Sequence, residues 1–221
     1  MSAPTYDEIR DVARKAVDIF GQRQLRCCLF GSTACALYGT SRCPNDVDLV
    51  VLDPESDPED LKQMLVDGDV NFYLVPSKDT NATYQVLWYI LPYSPDGQRR
   101  MCKVDILIPG GDLGIPFVPA EFLETRHNFP VMPILPLLLL KLQGWVDHRS
   151  AERWSVQEKQ HADVEDIEDL IIIACDQRVH TSICTWLPQE FFEAAEDRVE
   201  DYAGQFPLSS LYWYTLGFDV E

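Results

Sequence analysis

The stretch LFGSTACALYGTSRCPNDVDLVVL, residues 29–52, decides the fold that we expect for this chain. An apolar run leads into Gly31 and Ser32, and a second run, rich in Val and Leu, opens on Asp46 and Asp48. The two runs and the segment between them predict a strand, a helix and a second strand, over residues 26–30, 32–38 and 46–52. Two aspartates at alternate positions of such a strand need a physical explanation.

This aspartate pair is typical of a metal site. Side chains two residues apart on a strand project from the same face, so Asp46 and Asp48 should lie side by side. Carboxylates at that spacing repel each other, and burying them without a partner is costly, so they need solvent or a cation. Oxygen ligands favour Mg²⁺ or Mn²⁺ over zinc. The alternative is a strand end at which both side chains face water.

A third carboxylate, Asp105, occupies an interior position of the apolar run KVDILIP. Aspartate is disfavoured there by strand propensity and by burial. If its strand neighbours the first one, three carboxylates converge and suit two-metal phosphoryl transfer, with Asp105 as the acceptor of the proton of the attacking hydroxyl. The alternative is that Asp105 pairs with Lys103 or Arg100 at a strand edge.

Gly31 and Ser32 stand between a predicted strand and a predicted helix. Glycine lets a ligand approach the backbone closely, serine can cap the helix, and the free N–H groups at a helix start attract phosphate. We therefore expect this turn to bind an anionic group. The alternative is an ordinary tight turn with a capping serine.

The rest of the chain predicts an α+β fold. Thr5 and Glu8 form a capping-box signal ahead of a first helix. Further helices and strands follow the apolar periodicity, with helices at about 6–22, 53–68, 136–147, 156–175, 188–205 and 208–216 and strands at 70–75, 84–91 and 101–111. After Gly111 we expect only helices broken by prolines. We therefore expect an α/β lobe with a mixed sheet and flanking helices over residues 1–118 and a helical lobe over residues 119–221 that completes the cleft.

Composition excludes several classes of protein. The formal net charge of −18 would repel a long nucleic-acid backbone, so bulk nucleic acid is not an expected partner, whereas a metal-covered nucleotide is compatible. Seven cysteines show no CxxC pair and no zinc-finger spacing, which favours buried, reduced thiols. Neither a signal peptide nor a membrane span is visible, so we expect a soluble, cytoplasmic protein without a membrane partner.

Taken together, these motifs resemble a known superfamily. The Gly31-Ser32 turn, a spacer of thirteen residues, the Asp46-x-Asp48 pair and the later Asp105 resemble the nucleotidyltransferase superfamily typified by DNA polymerase beta. Within it, the stretch looks most like the small aminoglycoside- and lincosamide-type nucleotidyltransferases and the proteins related to them.

The resemblance implies roles for residues outside the aspartate triad. Arg42 and Lys141 would contact the triphosphate, Lys159 is a further candidate, and Asp163 and Asp166 would support the helices that carry them. Read from the residues alone, Arg42 is as well explained as a surface charge, and Lys141 as a lysine whose ammonium group reaches solvent from an amphipathic helix.

The function that the resemblance implies is transfer of a nucleoside monophosphate from a nucleoside triphosphate to an acceptor hydroxyl. ATP is the expected donor, two Mg²⁺ or Mn²⁺ ions are the expected cofactors, and the acceptor is a small molecule or a protein. One alternative is a non-catalytic nucleotide-binding regulator or toxin–antitoxin-like module of the same fold. Another is a phosphatase or glycosyltransferase that uses Asp-x-Asp for its metal, but neither explains the Gly-Ser turn.

Overall fold

A mixed sheet of seven strands forms the centre of the computed structural model, which describes residues 3–78, 83–111 and 113–220. The strands are β1 Cys27–Phe30, β2 Asp46–Val51, β3 Phe72–Pro76, β4 Gln85–Leu91, β5 Arg100–Leu107, β6 Glu124–Arg126 and β7 Phe129–Val131. The helices are α1 Tyr6–Gln22, α2 Gly31–Tyr38, α3 Pro58–Gly68, α4 Ile134–Arg149, α5 Trp154–Gln157, α6 Lys159–Asp176, α7 Gln189–Gln205 and α8 Ser210–Leu216. Across the sheet the order is β3-β4-β5-β2-β1-β7-β6.

Helix α1 starts at the predicted capping box. The Thr5 hydroxyl accepts a hydrogen bond from the Glu8 amide at 3.4 Å, and the Glu8 carboxylate accepts one from the Thr5 amide at 2.8 Å. These bonds satisfy backbone donors that have no partner within the first turn of a helix. The helix buries an apolar face that packs on β1, β2 and α3.

Strand β2 is central, and its register decides the site. It pairs antiparallel with β1 and parallel with β5. In the parallel pair Asp48 lies opposite Asp105, and Asp46 lies opposite Lys103. The sequence motif could not supply this pairing, because β5 follows β2 by almost fifty residues and two other strands lie between them in the chain. The predicted neighbourhood of the two acidic strands is confirmed.

The expectation of helices alone after Gly111 is wrong for residues 124–131. Strands β6 and β7 form a hairpin there, and β7 extends the sheet by pairing parallel with β1, with Val131 opposite Leu29. The hairpin turns through His127 and Asn128, which both have positive φ angles, of 50° and 64°. Strands of three residues show no clear alternation, and the turn lacks the glycine that usually marks such a loop.

The helical part packs around α4. This helix is apolar around most of its circumference, as expected for a buried helix, and it contacts α2, α6 and α7. An aromatic cluster joins α4 to α7 and α8 through Trp145, Tyr202, Phe206 and Trp213. In the described part of the chain, no helix is long and apolar enough to cross a bilayer.

All seven cysteines are free thiols, but not all of them are buried. Cys27, Cys28, Cys35 and Cys102 belong to the core, as expected, whereas Cys43 is exposed in the loop ahead of β2. The expectation of small buried side chains therefore fails at this position, because a loop on the surface offers no apolar environment to a thiol.

Candidate metal and nucleotide site

Three carboxylates converge at the carboxyl end of β1 and the amino-terminal half of β2. One oxygen each from Asp46, Asp48 and Asp105 can be chosen so that all three lie within 4.8 Å of one another. Each side chain is half-buried. Alternation along β2 places the first two on one face, and the parallel register with β5 brings the third beside them. Oxygen donors at this spacing suit a divalent cation.

Crowding changes the acidity of the middle carboxylate. Burial raises the pKa of Asp48, and the negative charges of Asp46 and Asp105 raise it further, to about 8, against the opposing effect of Lys141 and Lys103. Without a cation, burial and the two neighbouring charges therefore favour the protonated form of the Asp48 carboxyl group. A bound cation would take the place of that proton.

Lys103 is a neighbour of the triad that the motif does not include. Its ammonium group lies 2.6 Å from an Asp105 oxygen, two residues along β5, and its strand position faces Asp46. Asp105 therefore forms the ion pair with Lys103 that the sequence offered as an alternative, and it also belongs to the triad. Arg100, the other partner considered, instead makes two hydrogen bonds to Glu8, of 2.6 and 2.7 Å.

Gly31 is required where it stands. Its φ angle is +54°, and a Cβ atom there would lie 2.1 Å from Oδ2 of Asp48. Only glycine therefore lets the start of α2 lie directly against the second aspartate. Ser32 does not cap the helix, since α2 already begins at Gly31 and has no side-chain cap. Its hydroxyl instead donates to Asp46 at 3.3 Å.

Lys141 and Arg42 meet at a buried carboxylate on α6. The Lys141 ammonium lies 2.8 Å from Asp166 and 3.6 Å from Asp163. Arg42 donates two hydrogen bonds to the same Asp166, of 3.1 and 2.5 Å. The neighbouring Ser41 also binds α6, through its amide and hydroxyl. The loop before β2 is thus fastened to the helical part by charge.

Two of the three aspartates, Asp48 and Asp105, border a cavity of about 410 Å³ between the sheet and α4. Among the predicted residues Gly31, Asp48, Asp105 and Lys141 line it, whereas Asp46, Ser32 and Arg42 do not. Its other walls are Phe30, Leu107, Leu113, Leu140, Gln143, Gly144, Asp147, His148 and Asp163. A larger groove of about 520 Å³ between α6, α7 and α8 has mainly apolar walls and contains none of the three aspartates. The candidate site is therefore the smaller cavity, which Asp48 and Asp105 border.

Comparison with known proteins agrees with this geometry at the level of the fold. An antigenic nucleotidyltransferase-like protein from Paracoccidioides brasiliensis superposes with a TM-score of 0.66 over 97% of this chain and 95% of its own, at 14% identity. JHP933 from Helicobacter pylori gives a TM-score of 0.57 over 97% of this chain and 82% of its own, also at 14% identity. This chain has a nucleotidyltransferase-like fold. Scans against protein-family models and curated proteins give no significant match.

Within this nucleotidyltransferase-like fold, sequence reasoning missed the far wall of the cavity. Gln143, Asp147 and His148 lie on α4 together with Lys141. His148 follows Lys141 by seven residues, so both lie on one face of the helix. The seven-residue spacing could have predicted that His148 lies on the same face as Lys141. The leucines of α4 occupy most of its circumference, so the sequence did not indicate which face borders the cavity.

Proposed function

We propose that this protein is a metal-dependent nucleotidyltransferase that moves a nucleoside monophosphate from a nucleoside triphosphate to an acceptor hydroxyl and releases pyrophosphate. ATP is the donor we expect. The observation that carries the proposal is the convergence of three carboxylates from two strands, with their oxygens within 4.8 Å of one another, beside a glycine where an added Cβ would displace the Asp48 carboxylate. A cytoplasmic location, where thiols stay reduced, is part of the proposal.

The donor set fits Mg²⁺ or Mn²⁺. Three carboxylates beside a single paired lysine carry excess negative charge, and the raised pKa of Asp48 reflects it. When bound, two such ions supply the positive charge that clamps the attacking and leaving oxygens of phosphoryl transfer. In this proposal Asp46 and Asp48 hold both ions, and Asp105 completes the site on the attacking side.

The triphosphate would bind between α2 and α4. Gly31 and Ser32 open α2, whose first N–H groups have no partner within the helix and attract phosphate. Lys141 faces the same cavity from α4. Arg42 donates two hydrogen bonds to Asp166. On nucleotide binding Arg42 would exchange these bonds for bonds to phosphate oxygens, or it would keep them and hold Lys141 in place through the shared Asp166. Lys159 does not line the cavity, so we propose no contact between it and the triphosphate.

The acceptor is proposed as a small molecule or a protein side chain. A net charge of −18 opposes approach of a polynucleotide, because that repulsion extends about 8–10 Å from the surface at physiological salt. A single nucleotide with bound divalent cations carries little net charge and avoids this barrier.

The direct test uses the protein with each of the four labelled nucleoside triphosphates, Mg²⁺ or Mn²⁺, and a heat-treated cell extract as the source of acceptor hydroxyls. We expect pyrophosphate release and labelled product from wild type, and loss of both in Asp46→Asn and Asp48→Asn. Asp60→Asn on α3 is the matched control, because this aspartate is exposed and lies outside the cavity. Tight nucleotide binding with no pyrophosphate release would instead support the non-catalytic alternative.

The acceptor can be sought separately. Cell lysate is incubated with an alkyne-tagged nucleoside triphosphate and the protein, and the products are divided into metabolites and proteins before tagging. A labelled product that depends on Asp48 identifies the acceptor class. Labelling that persists in Asp48→Asn would belong to another enzyme in the lysate.

A further inference from the structure

His148 is a titratable side chain of the cavity that the proposed function does not yet use. Its Nδ1 atom lies 2.5 Å from Oδ2 of Asp163, a carboxylate that is 6% exposed. Its ring is partly open, with 28% of the side chain exposed, and it lines the same cavity as Asp48 and Asp105. Among the described residues, none makes a hydrogen bond to its other nitrogen, Nε2.

The contact with Asp163 fixes which ring nitrogen is free. An ionised carboxylate only accepts hydrogen bonds, so Nδ1 is the donor. A neutral imidazole with its proton on Nδ1 has a lone pair on Nε2. The geometry thus leaves a proton acceptor on the α4 wall of the cavity, held in orientation by a buried carboxylate.

Two carboxylates and two cations lie beside the imidazole. Asp163 and Asp166 face Lys141 and Arg42. The other charged groups that border the cavity are Asp147 on α4, Asp48 on β2 and Asp105 on β5, and all of them are acidic.

Asp105, which the sequence suggests as the base, already has other partners in the structure and in the proposed function. Its oxygen lies 2.6 Å from the Lys103 ammonium, and the proposed function uses it as a metal ligand. The imidazole of His148 has neither constraint.

We propose that His148, oriented by Asp163, is the general base for the acceptor hydroxyl; this rests on the proposed nucleotidyl transfer. The acceptor O–H proton passes to Nε2, and the oxygen forms a bond to the α-phosphorus. The bond from that phosphorus to the bridging oxygen breaks, and pyrophosphate leaves with the electron pair. The imidazolium then returns its proton to solvent. His148 is the catalytic residue, and Asp163 is a positioning residue.

The tautomer can be tested without turnover. Long-range ¹H–¹⁵N NMR of the full chain should show His148 with Nδ1 protonated and Nε2 unprotonated, and Asp163→Asn should move the proton to Nε2 because an amide can donate to Nδ1. The His148 signal is assigned by its absence from the spectrum of the His148→Asn variant. A wild-type signal with Nε2 protonated would overturn the proposal whether or not the protein is active.

Kinetics test the catalytic role. His148→Asn should lower the rate of pyrophosphate release about 100-fold or more at pH 7 with KM for the nucleotide unchanged, since general bases contribute about 10²–10⁴-fold. His148→Ala should regain rate with added imidazole. The matched control is His161→Asn, an exposed histidine of α6 outside the cavity.

The outcomes separate the two proposals. Wild type without pyrophosphate release under any acceptor condition contradicts the proposed function itself. An active wild type together with an equally active His148→Asn contradicts only the role of His148. Loss of rate that comes with a lower melting temperature and is not rescued by imidazole would mean that His148 merely joins α4 to α6, and would also overturn the proposal.

Discussion

At the scale of single residues, Gly31 and Asp48 depend on each other. The left-handed backbone of Gly31 allows the start of α2 to lie against the Asp48 carboxylate, with no room for even one added carbon. Because Gly31 has no side chain, the Asp48 carboxylate can lie where it does beside Asp46 and Asp105. This contact leads to one prediction for each of the two residues.

Gly31→Ala should destabilise the fold and remove the metal site together. The left-handed backbone costs an L-residue about 1–2 kcal/mol, and the new Cβ must displace the Asp48 carboxylate. Urea denaturation measures the stability, and calorimetric titration with Mn²⁺ measures the site. Gly21→Ala on α1 is the control, because nothing lies within 4 Å of the place that its added Cβ would occupy, and it should bind Mn²⁺ like wild type. Unchanged Mn²⁺ binding by Gly31→Ala would contradict the geometry.

Asp48 should make the metal-free protein less stable as pH rises. Folded Asp48 has a pKa raised to about 8, whereas the ordinary value for the side chain is 3.8. The folded state therefore binds more protons than the unfolded state over this interval, and the free energy of unfolding falls as pH rises from about 4 to 8. Asp48→Asn removes this effect, so in EDTA it should melt higher than wild type at pH 8 and nearly equal to it at pH 4.

The control for this titration is Asp60→Asn, which changes an exposed aspartate of α3. Its melting temperature should follow wild type at both pH values. If Asp48→Asn and wild type show the same change in melting temperature between pH 4 and pH 8, the raised pKa of Asp48 is refuted.

At the scale of elements, the loop before β2, α4 and α6 are held together by charge as well as by packing. Asp166, which is 1% exposed, binds both Arg42 and Lys141. A shared buried carboxylate fixes the separation of the loop before β2 from the helix that carries Lys141.

Asp166→Asn should cost about 3–5 kcal/mol, because it leaves Arg42 and Lys141, whose side chains are only 20% and 13% exposed, without their shared carboxylate. Equilibrium urea denaturation gives the value. Lys15→Gln is the comparison: it removes a 3.0 Å ion pair to Asp69, but the lysine side chain is 44% exposed, so the loss should stay below about 1 kcal/mol. Equal losses in the two variants would mean that the Asp166 cluster is not a buried charge network.

At the scale of the whole molecule, the charge is unevenly distributed along the chain. Residues 1–110 hold 11 basic and 16 acidic side chains, and residues 111–221 hold 7 and 20. Under the proposed function, a protein of net charge −18 repels a nucleoside triphosphate unless cations cover the charge of that nucleotide. Metal and nucleotide should therefore bind together rather than separately.

This coupling predicts a thermal shift. Mg²⁺ with a non-hydrolysable nucleoside triphosphate analogue at 100 times Kd should add about 2.7 kcal/mol, which corresponds to roughly 5–10 °C for a chain of this length. Nucleotide without the metal should add much less. KCl at matched ionic strength is the control, because salt alone relieves self-repulsion in a chain of net charge −18. An equal shift in Asp46→Asn/Asp48→Asn would place binding elsewhere.

The sequence by itself determined the strand that carries Asp46 and Asp48, the glycine ahead of α2 and the first helix with its capping box. Each follows from local rules: alternation on a strand, backbone freedom and hydrogen bonds three residues apart. The resemblance to nucleotidyltransferases, carried by the same short motif, also reached the correct fold.

Tertiary structure alone decided which residues meet. The parallel register of β2 and β5 brings Asp105 to the pair and Lys103 with it, and the packing of α4 on α6 gives Arg42 and Lys141 one shared carboxylate and turns His148 into the cavity. The β6–β7 hairpin likewise owes its place in the sheet to pairing with β1. These contacts join residues distant in the chain, and their energy comes from partners that no local pattern encodes.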